Sequence, residues 1–138
     1  MSGEVNEVPD VSVGLIFWGD NLIHESVSSR IGLEATRIWH AGDFVSGTLV
    51  KKKVDSWAFW LPVRKTCFLE PVVLELLDVI DGKEKGVLSV VGDFAVSGKI
   101  SCRISGNLLL PELCFSLLTL KRVVDIGLSL DVNIVVRA

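Results

Sequence analysis

A broad apolar stripe from residue 69 to residue 80 most constrains the fold. Its members recur every three or four positions, the spacing of one face of an α-helix. They are Leu69, Val72, Val73, Leu76, Leu77 and Ile80. Pro71 is tolerated only in a first helical turn, so the helix is predicted to begin near Leu69, after Thr66 as a candidate N-cap. Such a helix needs an apolar surface to pack against.

Segments in which apolar and polar residues alternate are predicted to supply that surface as β-strands. Alternation with a period of two is clear at residues 11–18, 99–105 and 128–136. Two further strands are predicted at 36–41 and at 55–63. Pro62 places the end of the latter strand at a sheet edge or terminus, since proline has no N–H to donate.

Two more helices are predicted, one on either side of the central one. Residues 22–31 form the first, capped by Asp20 or Asn21 and stopped by Gly32 in a left-handed conformation. The last begins at Pro111 and stops at Gly127. Its predicted buried stripe is Leu113, Leu117, Leu120 and Val124.

The predicted element order is strand, helix, strand, strand, helix, strand, helix, strand. Its first six elements match a ferredoxin-like β-α-β-β-α-β unit, and the last helix and strand extend the sheet. We therefore predict an α+β two-layer sandwich, a mixed sheet with helices on one face. Residues 1–10 are predicted to be a flexible tail and 11–138 a single domain. Residues 43–56 read as an irregular hairpin, and 87–91 fit either a strand or a helical turn.

Composition limits the compartment and the partners. Apolar residues make up 49% of the chain, which a fully buried sheet explains, or an apolar surface left for a partner or a second copy. No apolar run approaches the ~20 residues of a membrane span, and the acidic, polar start of the chain lacks a signal-peptide pattern. We expect a cytoplasmic protein without a membrane partner. The net charge of -3 argues against nucleic acid.

The sequence carries no recognisable set of catalytic or metal-binding residues. Cys67, Cys102 and Cys114 are an odd number without metal-ligand spacing and are predicted to be reduced core residues. The two histidines, His24 and His40, have no second ligand at a suitable spacing. Nucleotide-binding and hydrolase motifs are absent from the sequence. We predict no metal and no cofactor; the sequence favours a protein that is not an enzyme and leaves an unrecognised enzyme as the alternative.

The residues with the most varied chemistry gather between 32 and 57, in a chain with four tryptophans and no tyrosine. Aromatic residues and arginine are the types that anchor interfaces and ligand pockets. The candidate binding residues are Arg37, Trp39, His40, Asp43 and Trp57. The alternative is structural: the tryptophans fill the core and Arg37 pairs with Asp43 or Asp55. A register slip of one residue would exchange the two faces of the sheet, so sequence alone does not decide between them.

Short motifs across the chain resemble an uncharacterised bacterial family, domain of unknown function 4279. They are Asp20 before a helix, the Ile-Gly-Leu-x-x-Thr-Arg segment at 31–37, the Trp-x-x-Gly-Asp turn at 39–43 and the Gly-to-strand segment at 127–134. The chain departs from the family at Ala35, where many members carry proline, so a rigid turn is not implied there. The resemblance implies a small intracellular domain without an established reaction.

Three functional hypotheses follow. The first is a non-catalytic protein-binding module, for example a bacterial immunity protein that neutralises a toxin. The second is a small-ligand-binding domain, or an unrecognised enzyme, that uses the five candidate residues. The third is a structural subunit that self-associates through an apolar face of its sheet.

Overall fold

A computed structural model describes four parts of the chain: residues 8–20, 22–45, 47–106 and 112–136. The strands are β1 Asp10–Gly19, β2 Arg37–Trp39, β3 Asp55–Trp60, β4 Arg64–Lys65, β5 Ser97–Gly106 and β6 Ser129–Val136. The helices are α1 His24–Ile31, α2 Glu70–Ile80, α3 Glu84–Phe94 and α4 Leu117–Asp125. Residues 1–7 of the predicted tail lie outside the described residues, and Asp10 already belongs to β1.

The strands form one mixed sheet in the order β2-β3-β1-β5-β6, with the short β4 paired to β1. Every pair is antiparallel except β5 and β6. A parallel pair requires a crossover connection, and α4 lies in the one that joins β5 to β6. The chain is therefore an α+β protein with helices packed on a mixed sheet, which confirms the predicted class.

The element order departs from the prediction at two places. The predicted strand 55–63 ends at Trp60, because Pro62 interrupts pairing, and β4 resumes it. Residues 87–91 lie within α3 and are helical. Two helices and a short strand therefore separate β3 from β5, where the predicted ferredoxin-like unit has one helix.

The core lies between the helices and one face of the sheet. The inward residues of β1 are fully buried, as their alternation predicts: Val11, Val13, Leu15 and Phe17. All six residues of the stripe on α2 are buried against them in one cluster. At about 25 cal/mol per Å² of apolar surface removed from water, this contact is the main stabilising term of the fold.

The predicted start and buried face of the last helix are wrong, whereas its predicted stop is confirmed by Gly127, which has φ 71° just after the helix ends. Pro111 lies outside the described residues, and residues 112–116 are not helical. The helix begins after Ser116, whose side chain accepts the N–H of Thr119. Thr119 and Val123 are buried, whereas Leu117 is 84% exposed and Val124 70% exposed.

The segment before α4 is held in a non-helical conformation. The backbone N–H of Glu112 donates to the carbonyl oxygen of Cys67 at 2.7 Å, which holds the chain extended beside the start of α2. The helix begins later and docks through positions one residue out of phase with the prediction, a rotation of about 100°. This contact cannot be predicted from the periodicity of the apolar residues alone.

The first helix is shorter than predicted at its start. It begins at His24 after Ile23, with no side-chain cap, and Asn21 lies outside the described residues. Ile23, which lies within the predicted helix 22–31, is outside α1 and is 55% exposed. Gly32 has φ 78° and ends the helix in the left-handed conformation that glycine permits.

Candidate functional site

The register of the sheet decides which tryptophans leave the core. Trp18 and Trp39 both lie opposite Ser56, and Trp60 lies opposite Gly14. These three tryptophans share the face of the sheet turned away from the helices, which we call the open face. Trp57 is one residue out of step with them and points into the core.

Trp57 is a core residue. Its side chain is fully buried, its indole N–H donates to the hydroxyl oxygen of Ser28 at 2.9 Å, and its ring lies 5.8 Å from that of Phe17. This contact attaches α1 to β3. The structure therefore does not bring Trp57 together with the other candidate binding residues on the open face.

A groove of about 800 Å³ lies on the open face. All the long strands of the sheet contribute to it, together with the hairpin that joins β2 to β3. The lining side chains with a charge or an indole ring are Arg37, Trp39, Lys52, Trp60 and Arg103. Two of the five candidate binding residues, Arg37 and Trp39, thus lie in this groove.

The hairpin places Lys52 beside the groove. The backbone N–H of Lys52 donates to the carbonyl oxygen of Asp43 at 2.6 Å, and the N–H of Gly42 donates to the carbonyl oxygen of Lys52 at 2.9 Å. The ammonium group of Lys52 lies 4.5 Å from the centre of the Trp39 ring, and the guanidinium carbon of Arg37 lies 5.1 Å from it. Two cations are therefore held at one indole ring.

The charge of the groove is opposite to that of the whole chain. Among the described residues, its lining contains Arg37, Lys52 and Arg103 and no aspartate or glutamate, although the chain carries a net charge of -3. A concave surface lined by one sign of charge concentrates ligands of the opposite sign. The groove is suited to an anion.

Trp60 forms part of the floor of the groove, and Gly14 makes this possible. A Cβ atom on Gly14 would lie 2.5 Å from a ring-fusion carbon of Trp60 and 2.6 Å from its neighbour. The indole therefore lies directly over the backbone of Gly14, at a distance that only glycine permits. Here the close approach, and not a special φ, requires glycine.

Sequence reasoning missed Trp60, Lys52 and Arg103. The alternation of β5 does place Arg103 on the outward face, and Trp60 is outward once Trp57 is known to be inward. The register of the paired strands, which places these residues on the same side of the sheet, cannot be read from the sequence.

His40 and Asp43 lie at the turn after β2, where their contacts are structural. The carboxylate of Asp43 accepts the backbone N–H of His40 at 2.8 Å, and that of Asp55 accepts the N–H of Ala41 at 2.6 Å. These bonds hold the base of the hairpin. Arg37 is not ion-paired with either carboxylate in the described part of the chain.

The imidazole of His24 joins this turn to α1. Its Nε2 lies 3.0 Å from the carbonyl oxygen of Trp39 and 2.9 Å from that of Ser56, so the nitrogen carries a proton and donates. The ring centres of His24 and His40 are 4.7 Å apart. Within the described ranges, histidine, cysteine, aspartate and glutamate form no group of three that could hold a metal ion.

The cysteines differ in exposure. Cys102 is buried, Cys67 is half-buried and Cys114 is exposed, so the predicted core location holds for Cys102 and is wrong for Cys114. Burial raises the pKa of the Cys102 thiol to about 12, with a further contribution from the charge of Asp131. Cys102 is therefore a protonated, unreactive thiol at neutral pH.

Comparison with known proteins gives one match. A family model described as "Domain of unknown function (DUF4279)" matches residues 9–137. No curated protein matches the chain, and no solved structure does. Among the described residues, no helix has the length and apolar character needed to cross a membrane.

Proposed function

Because the chain belongs to the family described as domain of unknown function (DUF4279), which names no reaction, we propose a function from the geometry of its groove. The domain is a non-catalytic binding module that holds its ligand on the open face. The observation that carries this proposal is the lining of the groove: three cations and two indole rings, with no carboxylate in the part of the lining that the structure describes.

The same lining argues against a reaction there. The hydroxyl groups in the lining are those of Ser12 and Ser101, and no histidine, aspartate or glutamate is found with them among the described lining residues. A serine hydroxyl is a weak nucleophile unless an adjacent base removes its proton. The lining of the groove is therefore suited to attracting a ligand, orienting it and stacking against it, and these are functions of a binding site.

Ligand-induced thermal stabilisation tests the proposal. A library of metabolites is screened for compounds that raise the melting temperature, since a ligand that binds only the folded state stabilises it. Any stabilising compound is retested on Trp60→Ala, which removes the floor of the groove, and on Trp18→Ala. Trp18 is the matched control because it lies on the open face but does not line the groove.

We expect the stabilisation to be lost in Trp60→Ala and kept in Trp18→Ala. Equal stabilisation of both variants would place the ligand elsewhere and contradict the proposal. Both variants should remain folded, because neither indole is buried in the core.

The hairpin favours a second candidate function, the binding of a protein. Its tip exposes Leu49 (91%), Val50 (62%) and Phe44 (57%), beside Val45 in the groove lining. Exposed apolar side chains grouped on one loop are typical of a protein-binding surface. On this reading the domain is a cytoplasmic immunity protein, and the hairpin and groove together cover an acidic part of a toxin.

A pull-down with the product of the neighbouring gene tests this second candidate. Leu49→Ser should weaken the complex, whereas Leu88→Ser, an exposed residue of α3, should not. If the neighbouring product does not bind, or binds both variants equally, the hairpin is not the docking surface.

A further inference from the structure

Resting on the proposed function, we propose that the natural ligand of the groove is a small organic dianion with a planar ring between its two anionic groups. Two cationic ends of the groove would bind the anionic groups, and Trp60 would bind the ring. This names the chemical class of the ligand.

The sheet register sets the two cationic ends apart. Arg37 lies opposite Ala58, which lies opposite Ile16 of β1, whereas Arg103 lies opposite Ser12. The two arginines are thus three strand spacings apart across the sheet and four residues apart along it. On a flat sheet this places their Cα atoms roughly 19 Å from each other.

Because the two arginines are this far apart, they form two separate anion-binding positions and not a single one. The guanidinium of Arg103 is an exposed, planar donor that suits a carboxylate or phosphate group. At the other end, Arg37 and Lys52 each lie within about 5 Å of the centre of the Trp39 ring, so this end of the groove carries two positive charges. One compact anion would occupy a single end, whereas a dianion neutralises both.

Trp60 occupies the position between the two ends. It lies opposite Gly14, midway along β1 between Ser12 and Ile16. One face of its indole is against the sheet at Gly14, and the residue is only half-buried, so the rest of the ring faces the groove. A planar ring bound here would stack on the indole in an offset arrangement.

The size of the groove favours a small molecule over nucleic acid. About 800 Å³ lies within the range of small-molecule sites. A nucleic-acid site instead needs many phosphate contacts, and the described lining of the groove provides three cations on an acidic chain.

Four probes separate the contributions of charge and ring. Terephthalate is a planar dianion, benzoate a planar monoanion, benzamide a planar neutral compound and adipate a dianion without a ring. Binding is followed in the indole N–H region of NMR spectra of nitrogen-labelled protein. Each of the four tryptophans gives one signal there, assigned by Trp→Phe variants.

We expect terephthalate to bind tightest and to shift the signals of Trp39 and Trp60, while the signal of Trp57 stays in place. Benzoate and adipate should each bind about tenfold more weakly, and benzamide weaker still. Arg103→Gln should weaken terephthalate binding about tenfold and leave benzoate bound at the other end nearly unchanged. Arg122→Gln is the matched control, because Arg122 lies on α4 outside the groove.

Two results would overturn the inference. Benzamide binding as tightly as terephthalate would remove the requirement for charge, and adipate binding as tightly would remove the requirement for a ring. If either result is obtained while the library still yields a ligand whose binding depends on Trp60, the proposed binding function is retained and only the proposed ligand class is wrong. Both proposals fail if no probe shifts the indole signal of Trp39 or Trp60 and no library compound gives a stabilisation that depends on Trp60.

Discussion

At the scale of single residues, Gly14 controls the groove without contacting a ligand. Gly14→Ala puts a methyl group within about 2.5 Å of the Trp60 ring, so the indole must move off the sheet. We expect a modest loss of stability, about 1–2 kcal/mol, as for an overpacked site, and loss of ligand binding. Urea unfolding and the NMR signal of the Trp60 indole measure the two effects.

Gly92→Ala is the control for this change. Gly92 is an exposed residue of α3 with open space where a Cβ would lie. Alanine there should stabilise the protein by roughly 0.5–1 kcal/mol and leave the groove intact. An unmoved Trp60 signal in Gly14→Ala would show that the indole does not lie over that glycine.

The cysteines allow a second prediction at the residue scale. At pH 8, a thiol reagent should label the exposed Cys114 quickly and leave Cys102 unlabelled until the protein unfolds. Because the folded-state pKa of Cys102 is raised to about 12 from 9.0, the folded protein holds a proton that the unfolded chain releases. Stability should therefore fall as pH rises above about 9.

Cys102→Ala separates this thiol from the other groups that titrate in alkali. The variant is less stable at pH 7, because it leaves a small cavity, but its stability should depend less steeply on pH between 9 and 12 than that of the parent protein. Equal slopes in the two proteins would mean that Cys102 does not contribute.

At the scale of elements, α4 tests how helix phase is set. Val123 and Val124 are adjacent and chemically identical, but the first is 3% exposed and the second 70%. Val123→Ala should cost about 1.5–3 kcal/mol through lost burial and a cavity, whereas Val124→Ala should stay within about 0.5 kcal/mol of the parent. Denaturant midpoints at constant slope compare the two. If Val124→Ala cost more stability than Val123→Ala, the buried face predicted from the sequence would be the correct one.

The N-terminus of α4 is attached to α2 by a carboxylate. Glu70 accepts the backbone N–H of Ser116, and this hydrogen bond, followed by one from Thr119, lowers the pKa of Glu70 below its ordinary value of 4.5. The stabilisation is present above that value and is lost as pH falls through the lowered pKa. The contact places the start of α4 where the Glu112 backbone bond also holds it.

At the scale of the whole molecule, the groove is a positive surface on an acidic protein. Coulombic attraction between exposed charges weakens as salt shortens the Debye length, from about 10 Å at 0.1 M to 3 Å at 1 M. We therefore expect the dissociation constant for terephthalate to rise severalfold between these salt concentrations, with that of benzamide nearly constant. Equal salt dependence of the two would argue against charge as the source of affinity.

The open face also bears on the hypothesis of self-association. Two copies stacked through this face would have to bury the charged side chains of Arg37 and Arg103, which line the groove. Removing a charge from water is costly unless it is paired within the interface. The structure thus gives this hypothesis less support than the two forms of the binding proposal.

The sequence by itself determined the α+β class, the buried side of β1 and the buried stripe of α2. These features follow from local patterns in the sequence: a period of two residues in the strands and a spacing of three to four residues in the helix. Such patterns can be recognised without knowing which element packs against them. The motifs at 31–37 and 39–43 likewise identified the family. Local patterns were sufficient because each element buries one face of its own.

Tertiary structure alone decided which residues meet. The register between β1 and β3 sends Trp57 into the core and Trp60 onto the open face, and the docking of α4 buries Val123 and leaves Val124 exposed. Both depend on contacts between residues far apart in the chain. A one-residue change of register exchanges the two faces of a strand, and a one-residue change of phase rotates a helix by about 100°. For this reason the sequence predicted Arg37 and Trp39 of the groove, and only the fold added Lys52, Trp60 and Arg103.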